Sequence, residues 1–151
     1  IALVGTPNPK APELTPRDLT TAAAASWLEN KSNRNYLNCP LLATVSGKIK
    51  EVQGAEANTP AKGTLSGKLE PLPKIFAPKA LYDAGFGVDR TLMLDNSTAG
   101  FTIRTSVRNN ISFTRIPTAS CVYTGVLSYY SDWQMQLRSL DDIQPTTAHT
   151  K

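Results

Sequence analysis

The stretch LLATVSGKIKEV, residues 41–52, constrains the fold more than any other part of the sequence. Apolar or small residues alternate with polar ones: one parity carries Ala43, Val45, Gly47 and Ile49, and the other carries Thr44, Ser46, Lys48 and Lys50. Because successive side chains of a strand point to opposite faces, this pattern predicts a long, half-buried β-strand. A glycine inside such a strand indicates a bend or a bulge, which a small barrel requires.

Two further pairs of strands are predicted later in the chain. RTLMLDNSTAGFTIRTSV, residues 90–107, has two β-patterned runs around a turn rich in Asn, Ser and Gly. CVYTGVLSYY and WQMQLRS follow, and in the second of these Trp133, Met135 and Leu137 alternate with polar residues. Five strands with a long, glycine-containing first strand match the OB-fold. We therefore predict a mostly β chain: a five-stranded OB-like barrel with an N-terminal helix and an insertion between strands one and two.

The remaining segments give the domain limits. Residues 1–14 are predicted to be a proline-rich tether, residues 15–144 a single OB-like domain, and residues 145–151 a polar tail. Residues 54–85 are too long for a bare hairpin loop and are expected to have some structure of their own.

A helix is predicted directly after the tether. Thr15 would cap it, because Pro16 suits the first helical position. One side of this helix would carry Leu19, Ala22, Ala23, Ser26, Trp27 and Asn30, with Trp27 as a core anchor.

Two stretches carry a resemblance to a known family. TLMLDNSTAGFTIR resembles the second and third strands of OB domains, and TGVLSYYSDWQMQLRSLDDIQP is similar to their closing hairpin. The family is the group of OB-fold domains in secreted or lipid-anchored proteins of Gram-negative bacteria, with related accessory domains attached to extracellular nucleases and phosphoesterases. The resemblance covers about residues 41–143, without 54–85. It implies an extracytoplasmic binding or scaffolding domain and no defined catalytic set.

The overall composition agrees with a folded domain of ordinary surface. The 151 residues carry a net charge of +4, which by itself does not indicate a nucleic-acid binder. No run of about 18 apolar residues predicts a transmembrane segment. The sequence starts at Ile1 and not at Met, which is compatible with a removed secretory leader, and we expect an exported, extracytoplasmic protein.

Few residues are suited to catalysis or to metal binding. His149 is the sole histidine and Cys39 and Cys121 are the sole cysteines, so a zinc site and a Ser-His-Asp triad are not expected, and no cofactor is predicted. Whether the two cysteines form a disulfide is left open. Asp141 and Asp142 are expected to form a turn or a cap and not a metal site.

Candidate ligand-binding residues are taken from the places where OB-folds bind. Lys48, Lys50, Arg104 and Arg138 fall on the outward parity of their strands and could form a cationic strip. Aromatic candidates are Phe101, Tyr129, Tyr130 and Trp133, together with Phe76, Tyr82 and Phe86 in the loops. One of the adjacent tyrosines must face inward and the other outward. In the alternative interpretation, Phe101 and Trp133 fill the barrel and the lysines are solvated.

The functional hypothesis is a non-enzymatic, exported binding or assembly module that works with a larger surface complex. The first alternative is a single-stranded nucleic-acid binder, because aromatic platforms interleaved with cations suit that ligand. The second alternative is a carbohydrate-binding module or an accessory domain of a hydrolase. A hydrolase that uses Asp83, Asp89 or Asp95 ranks last, because no base, nucleophile or metal set converges with these acids.

Overall fold

The computed structural model describes residues 15–36, 41–50, 75–77, 87–106 and 108–146. Its regular elements in chain order are β1 (Arg17–Asp18), α1 (Ala22–Glu29), a 3-10 helix (Lys31–Tyr36), β2 (Leu41–Ile49), β3 (Val88–Leu94), β4 (Phe101–Thr105), β5 (Cys121–Tyr130), β6 (Asp132–Gln136), a second 3-10 helix (Leu140–Asp142) and β7 (Ile143–Pro145). In the described part of the chain, no helix has the length and apolar character needed to cross a bilayer.

Five of these strands close into a barrel. The order around it is β2, β3, β4, β6 and β5, and β5 pairs with β2 to close the ring. Neighbouring strands are antiparallel except β4 and β6, which are parallel. β1 and β7 lie outside the ring, paired with β2 and β5. The predicted mostly β, OB-like barrel with an N-terminal helix is therefore confirmed.

Gly47 marks the point where β2 is shared between two neighbours. It pairs with Cys121 of β5 on one side and with Leu94 of β3 on the other. A Cβ atom at this position would lie 2.4 Å from the carbonyl oxygen of Met93. The glycine in the predicted strand is therefore required by the close approach of β3, since no larger residue leaves room for that backbone.

The inward-facing side chains form one core. The alternation predicted for the strands is observed: Ala43, Val45 and Ile49 of β2 are buried, as are Trp133 and Met135 of β6. The same core includes Leu92, Phe101, Ile103, Cys121, Tyr123, Leu127 and Leu137. Burial of this contiguous apolar surface is the main source of stability in a domain of this size.

We call the end of the barrel where β2 leads into the insertion the insertion end. Side chains from two segments fill it. Phe76 and Ala77, from the insertion, are buried there with Ile111, which lies between β4 and β5. The two segments pair through Phe76 N–H to the Thr114 oxygen, 3.1 Å, and Ala77 N–H to the Ser112 oxygen, 2.8 Å.

A buried arginine holds the insertion segment at this end of the barrel. The Arg90 side chain points inward from β3 and donates to the carbonyl oxygens of Phe76, at 3.2 Å, and Ile75, at 2.7 Å. Residues 75–77 therefore have the local structure that was expected of the insertion, whose other residues lie outside the described ranges.

The opposite end of the barrel, which we call the helix end, is covered by α1. Leu28 is buried there, and its carbonyl oxygen accepts a 2.6 Å hydrogen bond from the indole N–H of Trp133. The Glu29 carboxylate accepts hydrogen bonds from Ser97 and Thr98 in the β3–β4 turn. These contacts tie the end of α1 to the turn and to the start of β6.

The predicted start of the helix was wrong. The helix begins after Thr21, whose side chain accepts a hydrogen bond from the Ala24 N–H, and not after Thr15. The reason is that Arg17 and Asp18 pair in parallel with β2, which holds the chain extended up to this point.

The predicted inward side of the helix was wrong as well. Its buried residues are Ala25 and Leu28, Trp27 is half-buried against the core, and Ala22, Ala23, Ser26 and Asn30 are exposed. Leu19 is buried, but it precedes the helix.

Candidate functional site

Three members of the predicted cationic strip lie on one outer face of the barrel. Lys48 is exposed on β2, Lys50 follows that strand, and Arg104 points outward from β4. Arg104 lies opposite Asp89 of β3, and its guanidinium contacts both carboxylate oxygens, at 2.8 and 3.0 Å. The charge of Arg104 is therefore balanced by its neighbour on this face.

The fourth member of the strip, Arg138, has a structural partner. Its side chain donates to both carboxylate oxygens of Asp142, at 2.6 and 3.2 Å, and its backbone N–H donates to the same group at 2.6 Å. The Ser139 N–H adds a fourth bond at 3.3 Å. Burial works to raise the pKa of Asp142, but these hydrogen bonds outweigh it, so the pKa lies below its usual value. The predicted turn or cap role is confirmed for the Asp142 side chain.

Phe101 and Trp133 lie inside the barrel. Each is about 1% exposed, and they are paired across β4 and β6. Phe76 is buried at the insertion end, whereas Tyr82 and Phe86 lie outside the described residues. The structure therefore agrees with the alternative interpretation, in which Phe101 and Trp133 fill the barrel.

Tyr129 and Tyr130 end β5 and point to opposite sides, as predicted. Tyr129 is half-buried, meets the Trp133 ring edge-on with 5.1 Å between centroids, and donates its hydroxyl to the Ser131 carbonyl oxygen at 3.0 Å. Tyr130 is 78% exposed. Ser131, the single residue between β5 and β6, has φ 60°, in the left-handed region that such a tight turn requires.

Five side chains at the helix end form a continuous series of cation–π and aromatic contacts, which we call the stacked row. Arg17 lies over the Trp27 ring at 4.5 Å, and Trp27 packs on Trp133 with 5.2 Å between centroids. Trp133 in turn contacts Tyr129, and Arg34 lies over the Tyr129 ring at 5.5 Å. The row therefore starts and ends with an exposed guanidinium, while its centre is buried.

Each member of the row comes from a different element. Arg17 is on β1, Trp27 on α1, Arg34 on the first 3-10 helix, Tyr129 on β5 and Trp133 on β6. The sequence analysis named Tyr129 and Trp133 as candidates, interpreted Trp27 as a core anchor and missed both arginines. No local pattern in the sequence marks them, because only the pairing of β1 with β2 and the packing of α1 bring them to the same end of the barrel.

The two arginines of the row have no carboxylate partner among the described residues. The acids nearest to them in sequence are occupied: Asp18 accepts hydrogen bonds from Thr20, which lower its pKa, and Glu29 binds the β3–β4 turn. A guanidinium stacked on a ring keeps its N–H donors at the edge of its plane, where they can pair with a carboxylate or a phosphate.

A small polar pocket lies at the insertion end, away from the row. It has a volume of about 130 Å³ and is lined by Gly87, Arg104, Ser106, Asn109, Gln136 and Leu137. This volume is below the roughly 300–1,000 Å³ of a typical ligand pocket, so the pocket is too small to enclose a drug-sized ligand.

The acids considered for catalysis are engaged in the fold where they are described. Asp89 pairs with Arg104, Asp95 accepts the Ser120 hydroxyl at 2.6 Å, and Asp83 lies outside the described residues. Within the described ranges, no three His, Cys, Asp or Glu side chains come together as a metal site would require. Cys121 is a free thiol whose pKa is raised by burial, and Cys39 lies outside the described residues.

No protein-family model, curated protein or solved structure matches this chain.

Proposed function

We propose that this protein is a non-enzymatic binding module that holds its ligand on the outside of the barrel, at the stacked row. The observation that supports this most directly is the row itself. Two exposed arginines are held in place by aromatic rings that belong to the core. Trp, Tyr and Arg are the residue types that contribute most to binding interfaces.

The filled barrel supports an external site. Core side chains occupy the interior, with Phe76 and Ile111 at the insertion end and Leu28 at the helix end. A ligand inside the barrel would have to displace these apolar side chains, and loss of one such contact costs about 2–5 kcal/mol. An external ligand requires no such rearrangement.

Export and assembly with a larger surface complex are also part of the proposal. They are supported by the resemblance of residues 41–143 to OB-fold domains of secreted and lipid-anchored proteins. Fractionation of the source cells with an antibody against the chain tests this: we expect the protein in the envelope or surface fraction. Recovery from the cytoplasmic fraction alone would contradict it.

A single-stranded nucleic acid is the main alternative ligand, favoured by the cations at both ends of the row. Such ligands also stack their bases on open aromatic faces. In the row, the Trp27 and Tyr129 faces that the arginines cover are not open, and Trp133 is buried. The same lack of open faces weighs against a carbohydrate platform, so both remain alternatives to be tested.

The test compares the row with the cationic strip at equal charge. Arg17→Gln/Arg34→Gln and Lys48→Gln/Lys50→Gln each remove two positive charges, from different faces. A thymidine oligonucleotide, a glutamate-rich peptide and a neutral oligosaccharide are titrated into each variant, and binding is measured by isothermal titration calorimetry. We expect the arginine pair to weaken binding more than the lysine pair. A larger loss with the lysine pair would place the site on the β2–β4 face and contradict the proposal.

A further inference from the structure

We infer that the ligand of the stacked row is an acidic protein segment, which places one carboxylate on Arg17 and a second on Arg34. This inference rests on the proposed function and names the class of partner. The two guanidinium groups share three properties. Both are exposed, both lie over rings, and neither contacts a carboxylate among the described residues.

Contact with a ring limits the orientation of each arginine side chain. A ring restricts the plane of the guanidinium above it, so less conformational freedom is lost when an anion binds. The donors of that plane match a carboxylate with two parallel hydrogen bonds. The backbone around Arg34 is also held in place. In the same 3-10 helix, the Asn33 side chain donates a 2.6 Å hydrogen bond to the Trp27 carbonyl oxygen.

The rest of the row favours a protein over a nucleic acid. Bases need ring faces on which to stack, but one face of Trp27 and one of Tyr129 are occupied by the arginines, and Trp133 is enclosed. Tyr130 follows Tyr129 in the chain but points to the opposite side of β5, so it adds no open ring face to the row. Carboxylate pairing at two points is therefore the contact that the two exposed ends of the row fit.

The charge distribution agrees with an acidic partner. Lys31 is exposed on the same 3-10 helix as Arg34 and adds a further cation on that element. Among the described acids of this end, Asp18 and Glu29 already accept hydrogen bonds from Thr20 and from the β3–β4 turn. Complementary charge raises the association rate and selects against neutral or basic partners.

The experiment uses fluorescein-labelled peptides and the full chain in an anisotropy titration. A peptide with repeated glutamates is compared with the same peptide in which glutamine replaces each glutamate, and with a thymidine oligonucleotide of equal charge. We expect the glutamate peptide to bind most tightly, with an affinity that falls as salt rises. Arg17→Gln/Arg34→Gln should weaken this binding by at least about tenfold.

Two further variants separate the inference from simple charge attraction. Arg17→Lys/Arg34→Lys keeps both charges but loses the planar donors, so it should also weaken binding. Arg108→Gln removes one exposed charge between β4 and β5 and should leave binding unchanged. Wild-type affinity in the lysine variant, or an equal loss with Arg108→Gln, would overturn the inference.

The outcomes also distinguish this inference from the proposed function. If the oligonucleotide binds more tightly than the glutamate peptide and the arginine variants abolish that binding, the row is a binding site but its partner is not an acidic protein. If no probe is affected by the arginine variants, both the inference and the row as a ligand site are overturned.

Discussion

Replacement of Asp142 should lower the free energy of unfolding by about 2 kcal/mol. The carboxylate is 5% exposed and accepts four hydrogen bonds, two from backbone N–H groups and two from the Arg138 guanidinium. Asp142→Asn keeps the size but removes the charge, and hydrogen bonds to charged groups contribute about 1.5–3 kcal/mol. Because the Arg138 side chain is half exposed, the lower part of this range applies.

The assay is thermal and urea unfolding of Asp142→Asn beside Asp141→Asn. Asp141 is the neighbouring, exposed carboxylate, and its loss should cost less than about 0.5 kcal/mol. For a domain of this size, 2 kcal/mol corresponds to a decrease in Tm of about 6–8 °C. Equal effects of the two substitutions, or a Tm that rises with added calcium only when both acids are present, would refute the structural role of Asp142.

The same substitution has a defined pH dependence. The pKa of Asp142 is lowered on folding, so its contribution is complete above the unfolded pKa of about 3.9 and is lost as pH falls through the folded value. The difference in stability between wild type and Asp142→Asn should therefore be constant near neutral pH and shrink below about pH 4. A difference that grows on acidification would contradict this sign.

Three further predictions concern the barrel. Gly47→Ala should lower the free energy of unfolding in urea by about 2–4 kcal/mol, because the new Cβ would lie 2.4 Å from a backbone oxygen. Gly100→Ala is the control and should cost less, because its Cβ would meet the Asp132 side chain, which can move. Tyr123→Phe should be neutral or stabilising by up to about 1 kcal/mol, since the buried hydroxyl, whose pKa is raised by burial and by the adjacent Cys121 thiol, has no nitrogen or oxygen partner among the described residues; a clear loss of stability would contradict this. Phe76→Ala should cost about 3–5 kcal/mol if the insertion fills the barrel end; a loss below about 1 kcal/mol would show that it does not.

The strands were predictable because their signal is local. Alternation of apolar and polar residues with period two identified the faces of β2 and β6, and Gly47 stood out inside its strand. Once five strands were recognised, few barrel topologies could accommodate a long, shared first strand. The opposite orientation of Tyr129 and Tyr130 followed from the same period.

The remaining features depend on contacts that are distant in sequence. Arg17 and Asp18 read as the start of a helix, but pairing with β2 overrode that preference. Phe76 fills the barrel from the middle of the insertion, and nothing in its neighbours indicates this. Arg17 and Arg34 contact the aromatic residues of the row because α1 packs on β6 in the folded chain. The sequence therefore indicated Tyr129 and Trp133 as candidates but not the two arginines.

Nitrogen-15 NMR of the full chain, titrated with the glutamate-rich peptide, shows whether the ligand binds at the stacked row or on the β2–β4 face. We expect shifts of the Trp27 indole N–H and of the Arg17, Arg34 and Tyr130 amides, while the Arg104 amide is unchanged. Shifts confined to Lys48, Thr91 and Arg104, with the Trp27 indole unaffected, would contradict binding at the stacked row.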